Sequence, residues 1–211
     1  MSSTFKPLVA YHGDPKIKRK YLSRVRKERK RDNLIRGTYG TQFNGGWRGC
    51  AVGCTIQGSD HARYETELGI PRQLAHLEDR LFENLPLDNA VLWPEAFLDA
   101  IPVGADLRIP LWQFIVWLLV DPDEGVIKFA HTDRTRGVIE AVGALYNRLL
   151  AGGKVSVREW RDAAYAAYAA YAASAAYAAD AAYAVSRQRA FVRQSEKLLE
   201  LLRLASSATA A

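Results

Sequence analysis

Apolar positions along most of the chain recur at helical spacing, and the breaks between such segments fall at glycine and proline. Asp14-Pro15 sets an N-cap residue before a proline at the first helical position, and no glycine or proline follows until Gly37, which predicts a helix over 15–36. Residues 37–58, GTYGTQFNGGWRGCAVGCTIQG, hold seven glycines and read as one irregular loop. Helical text resumes with a short segment over 60–68, a break at Gly69-Ile70-Pro71, a helix to Leu85 and another over 94–100. Residues 111–120 are apolar nearly all round, the pattern of a buried central helix. A turn over 121–125 and a loop over 126–130 lead to a helix over 132–150 that Gly152-Gly153 closes.

Ser156-Val157-Arg158-Glu159 has the form of a capping box, and no glycine or proline occurs from Lys154 to the C-terminus. From Ala163 the text repeats with period three, AAY AAY AAY AAS AAY AAD AAY. At about 100° per residue each repeat falls back about 60°, so Tyr165, Tyr168, Tyr171, Tyr177 and Tyr183 wind around the helix without forming one aromatic face. Unbroken from 156 to 204, such a helix would run about 73 Å, against a radius of gyration of about 17 Å for a compact domain of this length. It must bend, with 186–189 the expected place, or find a partner, and a second copy is the simplest one. The expected fold is therefore all-α: an irregular helical bundle over 1–153 with a Gly-rich loop at 37–58, a long Ala/Tyr-rich helix over 154–205, and a disordered tail over 206–211. Trp93, Trp112, Trp117 and Trp160 are expected to anchor its core and helix junctions.

Composition narrows the class. With 49% hydrophobic and 25% charged residues, 211 residues can bury a proper core. Two cysteines four residues apart provide no disulfide framework, the N-terminal text lacks a signal-peptide layout, and the longest apolar run is far short of a membrane span. A cytoplasmic protein with no membrane contact is expected.

Charge changes the picture more. The formal net charge is +6, yet residues 1–36 alone hold twelve Lys/Arg against three acids, while the other 175 residues are net negative. On a helical wheel Ile17, Tyr21, Val25 and Ile35 share one sector with Glu28 and Asp32, and Lys16, Lys18, Arg19, Lys20, Arg24, Arg26, Lys27, Arg29, Lys30 and Arg31 fill the rest. Such a face complements a nucleic acid or nucleotide through counterion release and arginine–phosphate hydrogen bonds. The alternatives are a solvated basic face, or one that meets the acidic remainder of the protein or a second copy of it. Aromatic residues are scarce in this segment, so single-strand stacking has no support within it.

Gly49-Cys50-Ala51-Val52-Gly53-Cys54, with His61 seven residues on, is the second candidate. Cys50 or Cys54 would act as nucleophile with His12 or His61 as base, Asp14 or Asp60 orienting it, and glycine N–H groups facing an oxyanion. Zinc held by Cys50, Cys54 and His61, completed by His12 or His76, is a weaker reading, because only one cysteine pair exists. Buried, inert thiols in a glycine-rich turn are the default. His76 and His131 have no motif around them, and residues 44–58 match neither a Walker A loop nor GxGxxG, so no cofactor is expected.

HGDPKIK, GCAVGCTI, YETELGIPRQLAHLEDRLFENLP, WPEAFLDAIPVGADL and the alanine-rich tail together resemble a bacterial and phage-encoded protein family with a GCAVGC motif and an Ala-rich C-terminal helix, a family without an established activity. The resemblance implies an intracellular bacterial or phage origin and transfers no functional residue. The expected function is a non-catalytic, self-associating helical binding protein holding an anionic partner on 16–31. The alternatives are a small cysteine-dependent enzyme and a structural oligomerisation protein.

Overall fold

The computed structural model describes residues 8–174 and 183–207, with side chains described outside 166–187. The protein is all-α: ten α-helices and one two-stranded hairpin make up its regular structure among the described residues. These residues form two compact units, one running up to Arg108 and resuming at Gln194, the other comprising Ile109–Arg193.

In the first unit a left-handed turn at Ala10–Gly13 leads into α1 (Pro15–Lys30), where Asp14 Oδ1 accepts the Lys16 N–H at 2.7 Å as its N-cap position predicts. The helix ends at Lys30 and does not reach residue 36. Asp32 takes the left-handed conformation (φ 53°), its N–H donating to Arg29 O and that of Asn33 to Glu28 O. This is the Schellman pattern, with aspartate in the place glycine usually holds.

Residues 37–58 are likewise not a single loop. β1 (Thr41–Phe43) and β2 (Gly46–Arg48) pair antiparallel around Asn44-Gly45, both at positive φ, and α2 (Ala51–Ile56) follows, buried along its whole length. The glycines of this stretch serve close packing: a Cβ on Gly49 or Gly53 would lie 2.3 or 2.0 Å from the Tyr39 carbonyl oxygen. The backbone at Tyr39-Gly40 thus crosses directly over the start of α2, and the Trp47 indole N–H donates to the same oxygen at 2.7 Å.

Four further helices complete the core: α3 (Arg63–Leu68), α4 (Arg72–Asn84), α5 (Leu87–Ala90) and α6 (Trp93–Ala100). α1 packs on α2 and α6, and α4 packs on α2, α3 and α6. Tyr21, Val25, Ile56, Leu74, Leu81 and Phe97 are fully buried between them, each worth about 1.5–3 kcal/mol of transfer free energy for the aliphatic and phenyl side chains. Residues 194–207 join this unit, with Leu198 and Leu202 buried and the Asp106 N–H donating to Ser206 O at 3.1 Å. Ser206 and Ser207, expected in a tail, are thereby held in place, Ser207 bridging to Ala105.

The second unit holds α7 (Arg108–Val120) from Ile109 on, a 3-10 turn at Val126–Phe129 where a plain loop was expected, α8 (Asp133–Leu150), α9 (Val157–Ser174), and α10 (Tyr183–Arg203) up to Arg193. α8 and α9 pack together through Tyr146 against Trp160, ring centroids 4.9 Å apart, and the Arg148–Glu159 ion pair. The capping box forms as read: Ser156 Oγ accepts the Glu159 N–H, and the Glu159 carboxylate accepts the Ser156 N–H. α7 is helical but not the buried central helix its composition predicts. Only Pro110, Leu111 and Phe114 of it are buried, because the unit has few layers to enclose an element apolar on every side. Trp93 is buried as expected of an anchor, whereas Trp112, Trp117 and Trp160 are half-buried. α10 is helical through 186–189, and the expectation of one unbroken Ala/Tyr helix rests on 175–182, outside the described residues.

Candidate functional site

The ten cations of the basic segment fall into two groups. Lys18, Arg24, Arg26 and Arg29 are spent inside the unit: Lys18 Nζ donates to the Asp99 and Ile101 carbonyls at 2.7 and 2.8 Å, Arg24 to Thr55 O at 2.7 Å, and Arg26 and Arg29 both pair with Glu95. These contacts tie α1 to α2 and to the neighbourhood of α6.

Lys16, Arg19, Lys20, Lys27, Lys30 and Arg31 are exposed, and none makes an ion pair among the described residues. Lys20 alone rests on an aromatic ring, that of Tyr21. The five on α1 proper fall within an arc of about 100° opposite the buried Val25, and the row spans about 22 Å from Lys16 to Arg31. A broad basic face is therefore narrowed to a stripe. Its C-terminal half borders a shallow open cleft of about 490 Å³ lined by Ser23, Arg26, Lys27, Lys30 and Arg31. Ser23 adds a hydroxyl donor that the charge pattern alone did not mark.

The cysteine cluster is arranged differently from a nucleophile site. Cys50 caps α2, its sulfur accepting the Gly53 N–H at 3.4 Å, and burial pushes its thiol pKa up, with the Asp79 carboxylate adding to the effect. Cys54 is pushed up to about 12 by burial, and its sulfur faces the carbonyls of Asn33, Trp47 and Gly49 at 3.3–3.5 Å. Both therefore stay protonated near neutrality. Four backbone donors around the thiols are already used: Gly49 N–H by Asn33 O, Cys50 N–H by Thr38 O, Gly53 N–H by the Cys50 sulfur and Cys54 N–H by Cys50 O.

His61 is buried with Nε2 3.5 Å from Asp79 Oδ2, stacked on the His76 ring (centroids 4.3 Å apart) and edge-on to Tyr39. Cys50 and His61 thus meet at a carboxylate and not at each other. His12 lies elsewhere, exposed, with Nε2 3.1 Å from Thr66 O. Among the described residues no three His, Cys, Asp or Glu side chains are placed to hold a metal ion, and Cys50, Cys54 and His61 do not converge. Asp79 is a carboxylate of this cluster that the motifs did not indicate, although its i,i+3 spacing from His76 sets both on one face of α4.

The chain matches no protein-family model, no curated protein and no solved structure.

Proposed function

We propose that this protein is a non-catalytic helical binding protein that holds an extended polyanion, a nucleic-acid strand, along the exposed stripe of α1. The observation that carries the reading is the sorting of the cations. Those that stabilise the fold have polar partners, and of those left over the five on α1 are aligned on one arc with no ion-pair partner among the described residues. A row about 22 Å long spans several consecutive phosphates, which a single nucleotide does not, so a polymer fits it better.

Titrating labelled DNA, RNA and mononucleotides at 50 and 200 mM salt tests this. Three phosphate contacts predict a loss of roughly 40-fold in affinity across that range and six a loss of roughly 2,000-fold, with nucleotides bound far more weakly than polymers. Salt-independent binding, or none, would refute it. The cysteine-dependent enzyme is disfavoured by buried, protonated thiols and by the use of both neighbouring glycine N–H groups, those of Gly49 and Gly53, inside the fold. Self-association belongs to the same proposal, supported by the half-buried apolar side chains of Trp112, Ile115, Val116 and Leu119 on α7, and is checked by light scattering.

A further inference from the structure

The hairpin beside α1 carries a group that a purely ionic stripe lacks. Gly46, at the start of β2, lies against the carboxylate of Glu28, both of whose oxygens are 2.7 Å from where its Cβ would be. Glu28 is the α1 residue next to Lys27, is buried, and is held by the Asn33 side chain at 2.6 Å. Phe43 is paired with Gly46 in the ladder, so its backbone lies about 5 Å, one strand spacing, from the residue that touches α1. Phe43 is 42% exposed, and the guanidinium of exposed Arg48 sits over its ring, 5.3 Å from the centroid.

A solitary exposed phenylalanine would be ordinary. Here the ring is mounted on an otherwise polar hairpin whose other aromatic, Trp47, is fixed by its hydrogen bond to Tyr39 O, and the hairpin is braced against the helix that bears the free cations. A two-stranded hairpin is marginal by itself, so this bracing is what gives Phe43 a defined position. We infer that Phe43 and Arg48, on the hairpin braced at Glu28, form a base-stacking platform, so that the strand bound by α1 is single-stranded nucleic acid. An aromatic ring and a guanidinium plane stack on any base that is not already stacked in a duplex, while the flanking cations hold the phosphates. This rests on the proposed binding of a nucleic-acid strand by α1 and adds the class of that strand.

The test is fluorescence anisotropy with a labelled oligothymidylate of about 20 nucleotides and a duplex of the same length, at 50 and 200 mM salt, for the wild type, Phe43→Leu and Phe43→Tyr. Leucine keeps the apolar bulk without the ring, and tyrosine keeps the ring. Expected is preferential binding of the single strand by the wild type, a roughly 5- to 100-fold loss in Phe43→Leu confined to the single strand, and retention in Phe43→Tyr. Equal single-strand affinity in Phe43→Leu, an equal loss on both probes, or a wild-type preference for duplex would overturn the platform while salt-dependent binding left the α1 reading standing. Absence of salt-dependent binding to either probe would remove both.

Discussion

Replacing Glu78 by glutamine should stabilise the protein at neutral pH and not at acid pH. The Glu78 side chain is fully buried on α4, with Oε2 accepting the Tyr64 hydroxyl at 2.6 Å and Oε1 without a hydrogen-bond partner among the described residues. Burial raises its pKa well above the ordinary 4.5, the Tyr64 hydrogen bond opposes the shift, and the adjacent Asp79 charge adds to it. A carboxyl raised in the folded state contributes its full stability below the unfolded pKa, and that contribution is lost as pH climbs toward the folded value. Each pH unit of that window costs at most about 1.4 kcal/mol, so the penalty grows as pH rises above the ordinary carboxyl value. Glutamine mimics the neutral acid and can accept from Tyr64, so Glu78→Gln should differ from the wild type by no more than about 1 kcal/mol at pH 4 and gain steadily above pH 4.5. Urea unfolding followed by tryptophan fluorescence from pH 4 to 8 reads the difference, with most other titrations cancelling between the two proteins. A difference independent of pH, or one that shrinks as pH rises, would refute the reasoning.

Three further outcomes follow from the same geometry. Gly53→Ala drives a methyl against the Tyr39 carbonyl and should cost about 1–3 kcal/mol, whereas Gly137→Ala, with open space around it in α8, should gain about 0.5–1 kcal/mol; thermal melts separate the two. Cys50 and Cys54 should resist a thiol reagent at pH 7.5 in the native protein and react promptly in urea, and fast labelling of either native thiol would revive a nucleophilic role. Glu159, held at about 2 by the Ser156 hydroxyl and N–H and by Arg148, lends α9 stability that is present above pH 4.5 and lost as pH falls through about 2. Ser156→Ala should move that carboxyl upward in an NMR titration, and an unmoved value would exclude the reciprocal cap.

Local chemistry was the legible part of the fold. Asp14-Pro15 and Ser156/Glu159 start their helices where the residues say, because a cap needs only neighbours within three positions. The stop of α1 was hidden because Asp32 occupies the left-handed position without the glycine that would have marked it. The Asn44-Gly45 turn signal was present, but strands of three residues are too short to show alternation, and the surrounding glycines masked them. Burial of α7 depends on how many elements surround it, which no periodicity within the helix encodes. The division of the basic residues into committed and free ones was equally out of reach, since the partners of Lys18 and Arg26 lie near residues 95–101 and Arg24 reaches Thr55. The same distance hid the meeting of Cys50 and His61 at Asp79, and the bracing of Gly46 on Glu28.

The stripe is tested most directly by the salt dependence of nucleic-acid binding in Lys27→Ala/Lys30→Ala beside Arg158→Ala, an exposed cation on α9 outside the row. The slope of log affinity against log salt should fall by about two units in the double variant and remain at the wild-type value in Arg158→Ala. Equal slopes in all three proteins would contradict the assignment of polyanion binding to α1.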